Sequence, residues 1–599
     1  MVITWVRFLP LAMIISPLLG WGVLTVFRPY LSRKAAAIIA NCTVGFSAIC
    51  VALSIKTVVG NHPLNNVLYD WISIPGFSLS FGLSLDRLSL LMAAMVTGVG
   101  FLVHLYSIGY MSHESQSNRY FGHLNLFIFF MLVLVMSDNM VGTFIGWEGV
   151  GLCSYLLIGF WNTRPAYLKA ASKAFVMNRI GDVGFVIAMA IILLNFGTLN
   201  YHEIIHQLPY LQLSSMTLFS IGSALVLAIS GKSAQFPLYT WLPDAMAGPT
   251  PVSALIHAAT MVTSGIYLVN RMHPLFNSSP QSLQLLLIVG ILTTLIGGVT
   301  ATFQTDLKKI LAYSTVSQLG FMVIALGLGC YQVALFHMLT HAFFKALLFL
   351  SAGNIIHGLD GEQDIRKMGG VRKLLPVTGL LMGIGTLSII GLPPLSGFFS
   401  KEAIFSAAMS QSPVAFGALI LGSCLTVFYM ARMVYFVFFG TYRGNVGHPH
   451  EGSISMQLAL VTLAAFSIMG GLFGSIFHLP EPHQTELLLP AITIGIICIF
   501  GTAGILWARA QSRRTVTADR PLLGLDAIYD QFIVAPYLYT SRILINTIDR
   551  RLNQSIVGMG QMTQRIGALS IRIQTGNVGT YVVLMLLAIV ALFLKVVIR

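Results

Sequence analysis

Eight ionisable side chains stand inside apolar stretches of this sequence: Glu148, Asp182, Lys232, His257, His337, His341, Lys345 and Lys401. Burying each one costs at least a few kcal/mol, so each is a candidate for function. Carboxylates, lysines and histidines take up and release protons. A buried lysine responds both to its desolvation and to its distance from a carboxylate. The chemistry these residue types offer is therefore proton transfer. Glu148 lies midway along its apolar run, in Gly146-Trp147-Glu148-Gly149, where the glycines leave room for a cation. Lys232 is the candidate partner, and a change in their separation would switch its proton affinity. Asp182 either tunes that pair or simply pairs with Arg179, three residues before it. His257 begins a relay. His337, His341 and Lys345 follow at i, i+4 and i+8, stacked on one helix face, and Lys401, directly before Glu402, closes the row. Two histidines at i, i+4 can also bind zinc, but no third ligand accompanies them and a flanking lysine is a poor neighbour for a cation.

The elements that must hold these groups are membrane-spanning helices. Of the 599 residues, 56% are hydrophobic and 9% charged, with a mean hydropathy of +0.81, against roughly 25% charged in a soluble domain. That composition excludes a soluble globular protein. Apolar runs of about 20 residues recur from end to end, and counting them gives about sixteen spans. An N-terminus on the outer side puts Arg28, Arg33, Lys34, Arg119, Arg164, Lys169, Lys173, Lys308, Lys309, Arg366, Lys367, Arg372, Lys373, Arg443, Arg509, Arg513, Arg514 and Arg520 in inner loops. The outer side keeps Lys56, Arg87 and Arg271 and collects Glu203, Glu481 and Glu486. This is the asymmetry that orients a membrane protein. It accounts for the net charge of +14 without a nucleic-acid partner. The first apolar run, near Phe8 to Val26, lacks a small-residue cleavage site and reads as a retained span. The six cysteines are scattered singly, so the chain offers no ligand set for zinc, haem or an iron–sulfur cluster.

Two spans are expected to break. The seventh contains Gly231-Lys232-Ser233-Ala234-Gln235-Phe236-Pro237, and the twelfth contains Gly391-Leu392-Pro393-Pro394 followed by Gly397 and Lys401. Proline removes an amide donor and clashes with the preceding turn, which is tolerable at membrane depth only where protein or water satisfies the freed groups. The breaks lie five spans apart, and an odd interval reverses direction. The expected architecture is therefore an all-α polytopic membrane protein with two inverted five-helix repeats. Its segments are 1–120 (three helices), 121–273 (first repeat), 281–440 (second repeat), 441–520 (two helices), 521–575 and 576–599 (closing anchor). The segment from Leu525 to Ile573 is too polar to span, yet Leu544, Ile548, Leu552 and Ile556 recur at every fourth position. It reads as an amphipathic helix on the inner membrane surface, reaching about 70 Å if continuous, although Pro536, Gly558, Gly560 and Gly567 are potential breaks.

These residues resemble a known family. Glu148 in Trp-Glu-Gly, the Asn178-Arg179-Ile180-Gly181-Asp182 stretch, Gly231 to Leu238, Trp241 to Met246, Pro249 to His257, Asp306 to Gln318, His337 to Lys345 and Ser396 to Lys401 are similar to the antiporter-like proton channel subunits of respiratory complex I, over residues of about 80 to 440. The lateral helix and closing span are similar to those of the largest, most distal member of that family, as is lysine at 401, where a sister subunit carries glutamate. The resemblance implies redox-driven proton translocation, with Glu148 and Lys232 as the charge pair. His257, His337, His341 and Lys345 then form a central hydrophilic axis, and Lys401 is the terminal lysine. It also implies that this chain holds no cofactor, that NADH, FMN, Fe–S clusters and quinone belong to partner subunits, and that the lateral helix touches neighbouring antiporter-like membrane subunits. The expected location is a bacterial inner membrane. No GxGxxG after a strand and no phosphate-binding loop is present, in keeping with that division. Two other readings share these features: a subunit of a multisubunit sodium/proton antiporter, whose large subunit usually runs well beyond this length, and a structural clamp whose buried charges serve packing alone.

Overall fold

The computed structural model describes residues 6–60, 63–74, 77–444, 449–477, 488–512 and 525–598. Arg513, Arg514, Arg520, Glu481 and Glu486, assigned to loops above, lie outside the described residues. The chain falls into two units, Met1–Leu522 and Leu523–Arg599.

In the first unit, helices α1 (Leu9–Val26) and α2 (Arg33–Val59) lead into α3 (Arg87–Tyr110), α4 (Ser117–Met136), α5 (Met140–Ile158) and α6 (Pro165–Phe196). Their ends are written in local chemistry. Asp86 accepts from the Ser89 amide while the Ser89 hydroxyl accepts from the Asp86 amide, a reciprocal cap on α3. Asn139 caps α5 through the Gly142 amide, Pro165 opens α6 and Gly197, at φ 67°, closes it.

Between α2 and α3 the chain departs from the all-α expectation. Strands β1 (Leu64–Ile74) and β2 (Phe77–Leu85) form an antiparallel hairpin with Leu64 opposite Leu85. The residues Phe77 to Leu85 read FSLSFGLSL, a period-two alternation that suits a strand and not a helix. Leu79, Leu83 and Leu85 are buried.

The seventh span ends early. Helix α7 (Ser215–Lys232) stops at the lysine, and short turns carry the chain to Ala247. The freed groups find protein partners: Gln235 N donates to Ser230 O at 3.0 Å, Phe236 N to Thr293 Oγ1 at 2.9 Å, and Trp241 Nε1 to Gly231 O at 2.9 Å.

The eighth span, expected to be continuous, is also broken, into α8 (Thr250–Ala258) and α9 (Ser264–Arg271). No proline sits at this break. Hydroxyls take over the carbonyls instead: Thr260 Oγ1 donates to Leu255 O, Thr263 Oγ1 to Thr260 O and Ser264 Oγ to Met261 O.

Helices α10 (Pro280–Phe303), α11 (Leu307–Gly327) and α12 (Tyr331–Gly358) follow. The expected twelfth span is divided into α13 (Pro376–Ile390) and α14 (Ser396–Gln411), where Gly391 turns at φ 86°. Helices α15 (Pro413–Phe438), α16 (Ile454–Met469) and α17 (Leu488–Gln511) complete the unit. Fifteen described helices are long and apolar enough to cross a membrane. In the 250–271 segment the whole apolar window is buried, and in α12 94% of it is, against 22% in α17. The ionisable residues therefore stand in the core, while peripheral side chains such as Leu194, Val414 and Ile454 face outward, as lipid contact requires.

The second unit is helical without interruption from 525 to 573, then turns into α18 (Val578–Val597). Pro536 and the glycines do not break it. Two π-helical stretches, Asp530–Val534 and Leu544–Asp549, loosen the winding, and the first lets the run pass the proline, whose missing amide falls in the turn that follows.

Candidate proton-transfer site

The first group of charges is a chain of four. Arg179 pairs with Glu148 and lies 4.0 Å from Asp182 Oδ2, and Lys232 Nζ lies 3.6 Å from the same Asp182 oxygen. Glu148 and Lys232 are therefore not direct partners, as the sequence reading had them. They are the ends of a carboxylate–guanidinium–carboxylate–ammonium row in which Asp182 is the lysine's counter-ion. Asp182 also accepts from Trp147 Nε1 at 2.7 Å, which fixes its orientation.

Backbone contact explains the pairing. A Cβ on Gly181 would stand 2.8 Å from Gly231 Cα, so α6 and α7 touch at two glycines. That crossing sets Asp182 beside Lys232, the next residue on each helix. On α5, a Cβ at Gly151 would stand 2.6 Å from Lys232 Nζ. The lysine thus fills the space a side chain would take, one turn beyond Glu148. It is fully buried, 5.9 Å from the Trp147 ring.

The second group runs through α8, α11 and α12. His257 lies in the last turn of α8 and is fully buried, its ring 5.0 Å from that of Phe349. His337, His341 and Lys345 are likewise at zero exposure on one face of α12, the two imidazoles 6.3 Å apart. Lys345 Nζ donates to the Ser314 hydroxyl and, at 3.2 Å, to Leu311 O. His337 Nδ1 lies 2.9 Å from Ser400 Oγ, which also accepts from Thr340 at 2.8 Å, so α12 is tied to α14 immediately before Lys401. Lys401 is buried, its Nζ 5.5 Å from the Phe321 ring centroid. Neither Lys345 nor Lys401 has a carboxylate within 4.0 Å among the described residues.

Several buried polar atoms along this course have no hydrogen-bond partner among the described residues: Lys232 Nζ, both nitrogens of His257 and of His341, His337 Nε2, Gln318 Oε1 and Lys401 Nζ. Buried polar groups are costly without partners, and such clusters mark where ordered water belongs.

Sequence reasoning missed Lys308, which counts above as an inner-loop charge. It is buried and donates to Met246 O at 2.6 Å and Gly248 O at 2.8 Å, holding the end of the interrupted seventh span. A lysine two residues after a helix-capping Asp306 gave no sign of this. Ser314 and Ser400 were also missed, because a serine in an apolar helix is ordinary. No group of three metal-ligating side chains occurs among the described residues.

Residues 137–428 match the family described as NADH:quinone oxidoreductase/Mrp antiporter, transmembrane, and 71–121 match the N-terminus of NADH-ubiquinone oxidoreductase (complex I) chain 5. NADH-quinone oxidoreductase subunit L of Escherichia coli K12 is 40% identical over 609 residues, covering 96% of this chain and 98% of the relative. That of Mycobacterium tuberculosis H37Rv is 40% identical over 586 residues, 92% of each. The chain belongs to the subunit L family. Chain 5 of NADH-ubiquinone oxidoreductase from Metridium senile is 44% identical over 461 residues, 76% of each. Among solved structures, the Mrp complex of Dietzia sp. DQ12-45-1b contains a chain that matches with a TM-score of 0.72 at 27% identity; the alignment covers 98% of this chain and 63% of that one. The archaeal membrane-bound sulfane sulfur reductase shares the fold, with a TM-score of 0.69 at 21% identity over 85% of this chain and 99% of that one. Every charged residue of the subunit L site described above, from Glu148 to Lys401, lies inside the 137–428 match.

Proposed function

We propose that this chain is a proton-translocating membrane-arm subunit of an NADH:quinone oxidoreductase, which moves protons while NADH oxidation and quinone reduction proceed in other subunits. The observation that carries the reading is the row of titratable side chains from Glu148, half-buried, through Asp182 to Lys401, all buried, gathered around three interrupted helices. Membranes tolerate such groups where they line an ion path. Water bridging the unpartnered polar atoms completes the path, and the charge row Glu148–Arg179–Asp182–Lys232 gates it. In this reading, NADH, FMN, Fe–S clusters and quinone are bound by the partner subunits.

The same proposal takes segments 121–273 and 281–440 as two inverted five-helix units, each with one proline-bearing broken helix. It places the protein in a bacterial inner membrane, with its N-terminus periplasmic and the 525–573 helix on the cytoplasmic side against neighbouring antiporter-like subunits. The test is NADH-driven proton uptake into inverted vesicles by fully assembled complex carrying Lys232→Ala or Glu148→Ala. Uptake per electron should fall, and a normal ratio in both variants overturns the reading. The likeness to the Mrp chain favours a second reading, a sodium/proton antiporter subunit. Co-purification with NADH:quinone reductase activity separates the two.

A further inference from the structure

At the membrane face where α3, α12 and α15 end, a set of titratable side chains outside the charge row leads from the surface toward His257. His450 is exposed, and its ring lies 5.3 Å from that of His357 in the last turn of α12. His113 is exposed in the loop after α3, and Asp360 is exposed in the loop after α12. The half-buried His357 ring lies 5.8 Å from the ring of Tyr110. The Tyr110 hydroxyl is 3.2 Å from the hydroxyl of Thr250, the first residue of α8. Ser253 and His257 follow Thr250 at i+3 and i+7, so the three share one face of α8. All three are buried. Ser253 Oγ and both His257 nitrogens have no hydrogen-bond partner among the described residues. Exposure thus declines step by step from surface to core. Every group on the way is an imidazole or a hydroxyl, each able both to give and to accept a proton. The steps of about 4.5 and 6 Å along α8 are ones that a single water closes.

We propose that this row is a proton port: His113, His357 and His450 collect protons at this face, and Tyr110, Thr250 and Ser253 pass them to His257. The inference rests on the proton-translocating reading above and adds where the protons come in. In each transfer a proton leaves one nitrogen or oxygen as another arrives, so no oxidant, reductant or leaving group is needed.

The test uses assembled complex in inverted vesicles, with assembly checked on native gels. His357→Ala, Tyr110→Phe and Ser253→Ala are compared with Lys232→Ala by the initial rate of NADH-driven lumen acidification. Each port variant should lose about tenfold or more, since a positioned proton-transfer group contributes at least about 10²-fold to its own step. Imidazole added to the medium should restore His357→Ala and leave Tyr110→Phe slow, an outcome that a packing defect would not give. Tyr110→Phe keeps its ring and carries the test if His357→Ala fails to assemble. Wild-type rates in the port variants beside a defective Lys232→Ala would overturn the port alone. A normal Lys232→Ala would overturn the translocation reading beneath it.

Discussion

Replacing both members of the Asp182–Lys232 pair separates a proton-handling lysine from one that only holds helices together. The two charges are 3.6 Å apart, which at an effective dielectric constant of 20 is an attraction of about 4.6 kcal/mol. Lys232→Met alone leaves Asp182 buried with the Trp147 indole and an Arg179 nitrogen 4.0 Å away. Breaking a buried pair in this way costs about 3–5 kcal/mol, whereas replacing both charges by neutral groups of similar volume is often neutral for stability. The double variant Lys232→Met/Asp182→Asn should therefore recover most of the thermal stability and assembly that the single variant loses. Its proton uptake per electron in inverted vesicles should stay as low as in Lys232→Met, because no titratable group stands at 232. If stability and pumping return together in the double variant, the lysine serves packing and the structural-clamp reading is correct.

Three other outcomes follow from the same geometry. Arg179→Gln should lower NADH-driven proton uptake without dissociating the complex, because it cuts the four-charge row in the middle while Lys232 keeps Asp182; a wild-type uptake rate would refute the row. Lys308→Met removes a charged donor from two buried carbonyls, a loss of about 3 kcal/mol or more, read as a lower melting temperature of the detergent-solubilised complex. Asp86 clasps Arg271 across 185 residues; burial raises its carboxyl, but the Arg271 charge and the Ser89 bonds outweigh that and hold it below the ordinary range. The clasp's contribution is then complete above about pH 4 and fades as acid carries the pH through the lowered value, and Asp86→Asn should abolish this dependence of hydrogen exchange at the start of α3.

The sequence made the spans and both proline-bearing breaks readable, because twenty-residue apolar runs and prolines are local signals. It also located the buried charges, since an ionisable residue in such a run stands out wherever the boundaries fall. Pairing was not readable in this way. Asp182 and not Glu148 faces Lys232 because the Gly181–Gly231 contact fixes how α6 lies on α7, and rotation about a helix axis leaves no trace in one-dimensional spacing. The third break went unseen for a different reason: Thr263 and Ser264 bond carbonyls three residues back just as Ser154 and Ser314 do in continuous helices, and the one bond particular to the break, Thr260 to Leu255 O five residues back, leaves no mark in the sequence. The hairpin was legible in the alternation from Phe77 to Leu85, which a search for long apolar runs passes over.

The breaks and the charges coincide for a reason that makes the two broken-helix lysines unequal. Lys232 occupies the last turn of α7, where the free carbonyl end carries about half a negative charge, and Asp182 stands 3.6 Å from its nitrogen. A positive charge there is answered within the protein. Lys401 lies in the second turn of α14, past the break, with no carboxylate within 4.0 Å among the described residues and the face of Phe321 as its nearest aromatic contact. A charge at that position must be answered by water. A proton on Lys401 therefore depends on hydration of the site, while a proton on Lys232 is balanced by Asp182. The two ends of the row therefore differ in how each holds a charge, with the histidines of α8 and α12 standing between them.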